Sequence, residues 1–188
     1  MNIEKTLYVT SREDWRKWLE KNFDKENEIW LVYPKKSSDK NRILYNDAVE
    51  EALCFNWIDS TIKFLDEDNS IQRFSPRKSR STYSQQNKER IKWLVEHNLI
   101  HFSILEKMTQ IASEKYTFPK DIIEAIKKNK IAWKNYTIFS DSYKRIRVAY
   151  IESARKRPEE FQKRLSNFIR KTEENKLIKG FGGIEKYY

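Results

Sequence analysis

The residues best equipped for chemistry lie between positions 54 and 90. Cys54-Phe55-Asn56-Trp57-Ile58-Asp59 is followed by Arg73-Phe74-Ser75-Pro76-Arg77, and then by Ser81-Thr82-Tyr83-Ser84-Gln85-Gln86-Asn87-Lys88-Glu89-Arg90. Arg73, Arg77, Lys78, Arg80 and Arg90 bring five positive charges close together in sequence. Guanidinium forks match phosphate or carboxylate in two-point contacts. Ser81 and Ser84 add hydroxyls, and a helix opening near Ser84 adds N–H donors and a positive dipole end. The chemistry this suggests is anion binding. A structural reading competes with it: Arg73 pairs with Asp59 across a hairpin, Ser84 is only a helix N-cap, and Lys78 and Arg80 belong to a solvated loop.

The neighbouring side chains carry the same ambiguity. Trp57 and Tyr83 suit an aromatic wall against a flat ligand, although a Trp among apolar neighbours ordinarily packs in a core. Asp59 is a weak candidate general base if desolvated, and a salt bridge to an Arg would keep it ionised. Cys54, beside Phe55, reads as a small buried hydrophobe. His97 and His101 have helical metal-ligand spacing, but no third ligand is near and the residues between them read as a helix break. All three glycines lie in the last nine residues, so no Gly-rich cofactor cradle precedes Gly180. No cofactor is expected, and the balance of residues favours binding over catalysis.

These side chains need elements to hold them. Leu7 to Val9 reads as a short strand. Ser11 with Asp14 is a loose capping box, and Trp15, Trp18, Leu19 and Phe23 predict an amphipathic helix over 12–23. The run 28–33 is too continuously apolar for a one-faced strand and reads as an interior one. A helix opens at Tyr45 or Asn46. Residues 58–64 and 71–74 form a hairpin around a turn at 66–69, closed by Pro76. From Ser84 onward the chain reads as helical, with Pro119 starting a helix over 120–128 and further apolar stripes at 133–139, 143–154 and 161–172. The expected fold class is α+β: a small mixed or antiparallel sheet packed with helices in region 1–115, then a basic all-helical region 116–188. Its aromatic tail, Phe181 with Tyr187 and Tyr188, is expected to dock back on the body.

Charge is unevenly placed. The net charge is +10, and residues 101–188 carry nine of those ten charges. Such a field attracts acidic partners or nucleic acid. Lys144, Arg145, Arg147, Arg155, Lys156, Arg157, Lys163, Arg164, Arg170 and Lys171 could track a phosphate backbone, although no nucleic-acid module accompanies them. A lone cysteine excludes an internal disulfide and a multi-Cys zinc site. No apolar run nears the ~20 residues of a membrane span, so no membrane insertion is expected. With no signal-like segment after Met1, the expected location is the cytoplasm.

The stretch 51–90 resembles the YdeI/OmpD-associated, or bacteriocin-protection, proteins. The resemblance rests on Cys54 to Asp59, on Arg73 to Arg77, on Ser81 to Ser84, and on Asn87 with Arg90. A weaker helical likeness runs on through Phe118-Pro119-Lys120-Asp121, Trp133, Phe139, residues 150–154 and Arg164. Asn56 and Ser60 stand where the family usually has Gly, and Tyr83 replaces the usual Trp. Asn tolerates the left-handed region, so Asn56 is expected to keep the turn, while Ser60 points to a more regular strand start. The resemblance implies an α+β N-terminal region with a helical C-terminal part, and a stress-protection role without an agreed reaction or ligand. The expected binding set is Trp57, Asp59, Arg73, Arg77, Ser81, Tyr83, Ser84, Asn87 and Arg90, holding an anionic small ligand or an acidic protein segment.

Overall fold

The computed structural model describes residues 5–35, 37–78, 82–179 and 185–188. Ser79, Arg80, Ser81 and the tail residues 180–184 lie outside the described residues. The chain divides into two compact units: Met1–Thr82 with Ile91–Ala112, and Tyr83–Arg90 with Ser113–Tyr188. The architecture is α+β, as the sequence predicts.

The first unit holds a four-stranded mixed sheet. Its strands are β1 (Thr6–Leu7), β2 (Ile29–Pro34), β3 (Trp57–Phe64) and β4 (Asn69–Pro76), in the order β1-β2-β4-β3. β1 runs parallel to β2, and the other pairs are antiparallel. The interior place of β2 explains its unbroken apolar run. Side chains alternate between faces along a strand, and residues directly opposite share a face. Ile29, Leu31 and Tyr33 therefore share one face with Phe74, Gln72 and Ser70.

That face is covered by α1 (Arg12–Asn22) and α2 (Tyr45–Cys54). Ser11 caps α1, its hydroxyl accepting from the Asp14 N–H at 3.1 Å. Trp15 is fully buried, donates to the Ala48 carbonyl at 3.0 Å and meets Phe74 edge-on at 5.4 Å. Glu50 and Glu51 of α2 are buried too, which demands counter-charges. Arg12 reaches both, and Arg16 pairs with Glu51 at 2.8 Å. After α2 the chain turns through Asn56 at φ 58°, the left-handed region foreseen for it.

β3 departs from the expected regularity. Asp59 pairs with Phe74 and Ile62 with Gln72, so three steps on β3 span two on β4. Ser60 thus sits in a bulge, which corrects the expectation of a more regular start. The extra residue turns Ile62 back to the face of Asp59.

The second unit is helical: α5 (Lys120–Lys128), α6 (Lys130–Ile138), α7 (Asp141–Glu152) and α8 (Pro158–Glu173). Asn129 and Ser140 cap α6 and α7, and Pro158 opens α8 where a missing N–H costs nothing. The core gathers Ile122, Ile126, Tyr136, Tyr143, Val148, Ile151, Leu165 and Phe168. Tyr188 meets Tyr143 edge-on at 4.8 Å and accepts from Arg147 at 2.8 Å. This end of the tail is docked. Helix α3 (Gln85–Glu96) opens in the second unit and closes in the first, and α4 (Leu105–Ser113) follows it.

Candidate functional site

The predicted binding set divides between the two units, with Ser81 outside the described residues. Trp57, Asp59, Arg73 and Arg77 belong to the first unit, and Tyr83, Ser84, Asn87 and Arg90 to the second.

In the first unit, Trp57 is core. It is 1% exposed, donates to the Phe23 carbonyl at 3.0 Å and meets Trp18 edge-on. It offers no face to a ligand. Arg73 does not pair with Asp59. Register puts Asp59 opposite Phe74, so Arg73 points to the other face of the sheet, where it shares a register pair with Trp30. There it pairs with Glu28 at 2.6 Å, and its hydrogen bond holds that carboxyl below its ordinary 4.5. Asp59 instead accepts from the Tyr45 hydroxyl at 2.7 Å and from the Gln72 amide at 3.5 Å. Arg77 is buried, donating through its side chain to the Thr82 carbonyl at 2.7 Å and through its backbone to Asn56 at 2.9 Å. It locks a turn.

Cys54 is buried, and desolvation pushes its thiol up to about 12. It is inert, as read from sequence. His97 stacks on Trp93 at 3.9 Å, while His101 lies among Phe23, Phe55 and Phe102. Among the described residues no three ligating side chains form a metal group.

In the second unit, Ser84 caps α3 by accepting from the Asn87 N–H at 3.3 Å. Asn87 and Arg90 are buried and bonded to each other at 2.9 Å. Glu89, also buried, takes both nitrogens of an Arg145 fork at 2.6 and 2.8 Å. Tyr83 is half-buried. Of these residues, Ser84 lines an open cleft of about 240 Å³. Gln85 and Gln86 join it from the start of α3, Tyr150 and Ser153 from the α7 end, Arg157 from the N-cap of α8 and Arg164 from its second turn.

Arg164 is built into that cleft. It stacks on Tyr150 at 3.8 Å, donates to the Tyr150 carbonyl at 2.8 Å and to Ser153 at 3.1 Å, and pairs with Glu160 at 2.7 Å. That hydrogen bond lowers the Glu160 pKa. The Arg164–Tyr150 stack also lines an adjoining cavity of about 330 Å³ with Lys163, Asn167 and Lys179. The arrangement joins a cation fixed in orientation and a second exposed cation at the positive dipole end of a helix. Such a set can neutralise and hydrogen-bond a small anion.

Sequence reasoning had Arg157 and Arg164 in view as members of a basic face. What it missed was their meeting with Ser84. Most of that basic face is engaged in pairs within the unit. Lys144 pairs with Asp141, Arg145 with Glu89, Arg155 with Asp121 and Glu152, and Arg170 and Lys171 with Glu174. Arg147 is buried against Tyr188. Among the described residues, no helix is long and apolar enough to cross a membrane.

Comparison with known families divides the chain in sequence. The family described as "Domain of unknown function (DUF8412)" matches residues 7–107. The family described as "Bacteriocin-protection, YdeI or OmpD-Associated" matches residues 115–175. The resemblance read from sequence thus names the right family, but the match lies in the helical half and not in the 51–90 block that carried it. No curated protein and no solved structure matches the chain.

Proposed function

The chain belongs to the DUF8412 family and carries a bacteriocin-protection, YdeI or OmpD-associated domain over residues 115–175, and from that premise we propose that it is a protection protein that holds a small anionic ligand at the start of α3. The observation that carries the reading is the cleft joining Ser84, Gln85 and Gln86 to Arg157 and Arg164. Its chemistry matches what the local sequence suggested, an Arg- and Ser-lined anion site. Its members differ: Ser84 stays, while Arg73, Arg77 and Arg90 give way to Arg157 and Arg164. The match over residues 115–175 supports a protection role and names no ligand. The reading is of binding and assigns no catalytic step. It places the protein in the cytoplasm, which cell fractionation tests.

Three features support binding at this cleft. Arg164 is held by a ring, a carbonyl, a hydroxyl and a carboxylate, so little side-chain entropy is lost when an anion arrives. The start of α3 carries the positive end of a helix dipole, which favours an anion beside it. The excess positive charge of residues 101–188 raises the local anion concentration.

Titration with inorganic phosphate, followed by calorimetry and amide NMR, tests the reading. Saturable binding that moves the Gln85 and Gln86 resonances is expected. Arg157→Gln should weaken it about tenfold, the usual effect of removing one charge-assisted contact. Absence of saturation by phosphate and by acetate alike would overturn the proposal.

A further inference from the structure

We propose that the first unit contains a separate binding site for a small monocarboxylate with an apolar body, formed by Tyr33, Arg42 and the walls around them. The site is a cavity of about 420 Å³ lined chiefly by Tyr33, Arg42, Ile43, Leu44, Ile62 and Gln72. That is within the size of small-molecule pockets, roughly 300–1,000 Å³. It lies on the helix-covered face of the sheet, beside the residues that lead into α2.

The argument starts from Tyr33. Its side chain is 8% exposed, and among the described residues its hydroxyl has no hydrogen-bond partner. Buried hydroxyls are almost always bonded to protein or water, and Tyr33 lines the cavity, so its O–H is a donor left for a ligand atom there. Burial pushes the Tyr33 pKa upward, so the group is a neutral O–H and a ready donor. Arg42 supplies the charge. One of its terminal nitrogens donates to the Pro34 carbonyl at 2.7 Å, which fixes the guanidinium at the cavity. A donor and a cation together suit a carboxylate.

Asp59 limits the ligand's charge. It bonds to Tyr45 and Gln72, both of which line the cavity. A fixed negative charge so close disfavours a second one on the ligand, and with it phosphate. The apolar part is a second, independent observation. Leu44 is 67% exposed and Ile62 66%, although both edge the same cavity. The bulge at Ser60 is what turns Ile62 to this face. Exposed apolar side chains rimming a polar pocket mark where a ligand's hydrocarbon would lie.

Hexanoate is the probe, titrated by NMR against the full chain, with hexan-1-ol and hexylamine as controls. Saturable hexanoate binding is expected, at least tenfold tighter than either control. Tyr33→Phe keeps the ring and its packing and should weaken hexanoate about tenfold. Arg42→Gln should weaken it further, and Arg157→Gln should leave the hexanoate-induced shifts of Leu44 and Ile62 unchanged. Three results would overturn the proposal: no hexanoate binding, equal binding of hexan-1-ol, or undiminished binding by Tyr33→Phe. Loss of those Leu44 and Ile62 shifts in Arg157→Gln would assign the acid to the second unit's cleft and also reject this site. Phosphate binding at that cleft stands or falls separately.

Discussion

The two units use the same residue types in opposite ways. In the sheet unit, arginines near the signature stretch end on buried or cross-strand partners: Arg12 and Arg16 on Glu51, Arg73 on Glu28, Arg77 on a backbone carbonyl. The aromatic residue at its centre, Trp57, is sealed in the core. In the helical unit, Arg145 and Arg155 are similarly matched to carboxylates, yet Arg164 is braced beside an open cleft with Arg157 next to it. A cluster of arginines in sequence therefore does not make a site. What decides is whether the nearest carboxylate closes the guanidinium off or merely orients it.

The largest effect expected from breaking this contrast is on folding. Trp57→Ala should cost about 3–5 kcal/mol, as for other large buried aromatics, with the Phe23 carbonyl losing its donor as well. A urea unfolding curve measures it. A loss under about 1 kcal/mol would mean that Trp57 is not a core residue. Arg145→Ala comes next. It leaves the buried Glu89 carboxylate with the Gln85 amide but no counter-charge, and a cost of roughly 2–4 kcal/mol is expected, at the lower end for a buried pair because Arg145 keeps some solvent. Tm of the Arg145→Ala, Glu89→Gln double variant checks the cause, since removing the unpaired charge should recover part of the loss.

Arg157→Gln should be nearly silent for stability, within about 0.5 kcal/mol, as surface changes usually are. Its effect should appear only in phosphate binding, which separates a ligand-facing arginine from the structural ones. Finally, the Glu28–Arg73 pair sets a small pH dependence. The folded pKa of Glu28 is depressed, so its contribution is present above the ordinary value of 4.5 and is lost as pH falls through the lowered folded value. Arg73→Ala should return the Glu28 titration toward 4.5 by NMR. An unchanged Glu28 titration in that variant would remove Arg73 as the cause.

Much of the scaffold was legible because it is local. Ser11 and Asp14 set the start of α1, the continuous run in β2 marked an interior strand, and Asn56 took the left-handed turn. Pro119 and the stripe after it foretold α5, whose bounds, Lys120–Lys128, match the expectation. The site was less legible. Sequence proximity drew Asp59 and Arg73 together, but a strand's alternation sends them to opposite faces. The bulge at Ser60 left no sign in residue type, because Ser fits a regular strand as well as a bulge. Tyr33 read as one more apolar strand residue, since an orphaned hydroxyl is visible only once its surroundings are fixed.

By itself the sequence determined the α+β class, the caps and turns, the absence of an internal disulfide, and the excess of positive charge in the helical half. Each follows from composition or from interactions a few residues apart. Tertiary structure alone decided which arginines are structural and which face a cleft. It also decided that Ser84 meets Arg157 and Arg164, residues more than seventy positions away, and that Tyr33 lines a cavity. The physical reason is range. Helix and turn signals are written within one or two turns of chain, whereas the partner of a charge or a hydroxyl is fixed by strand register and helix packing between distant segments.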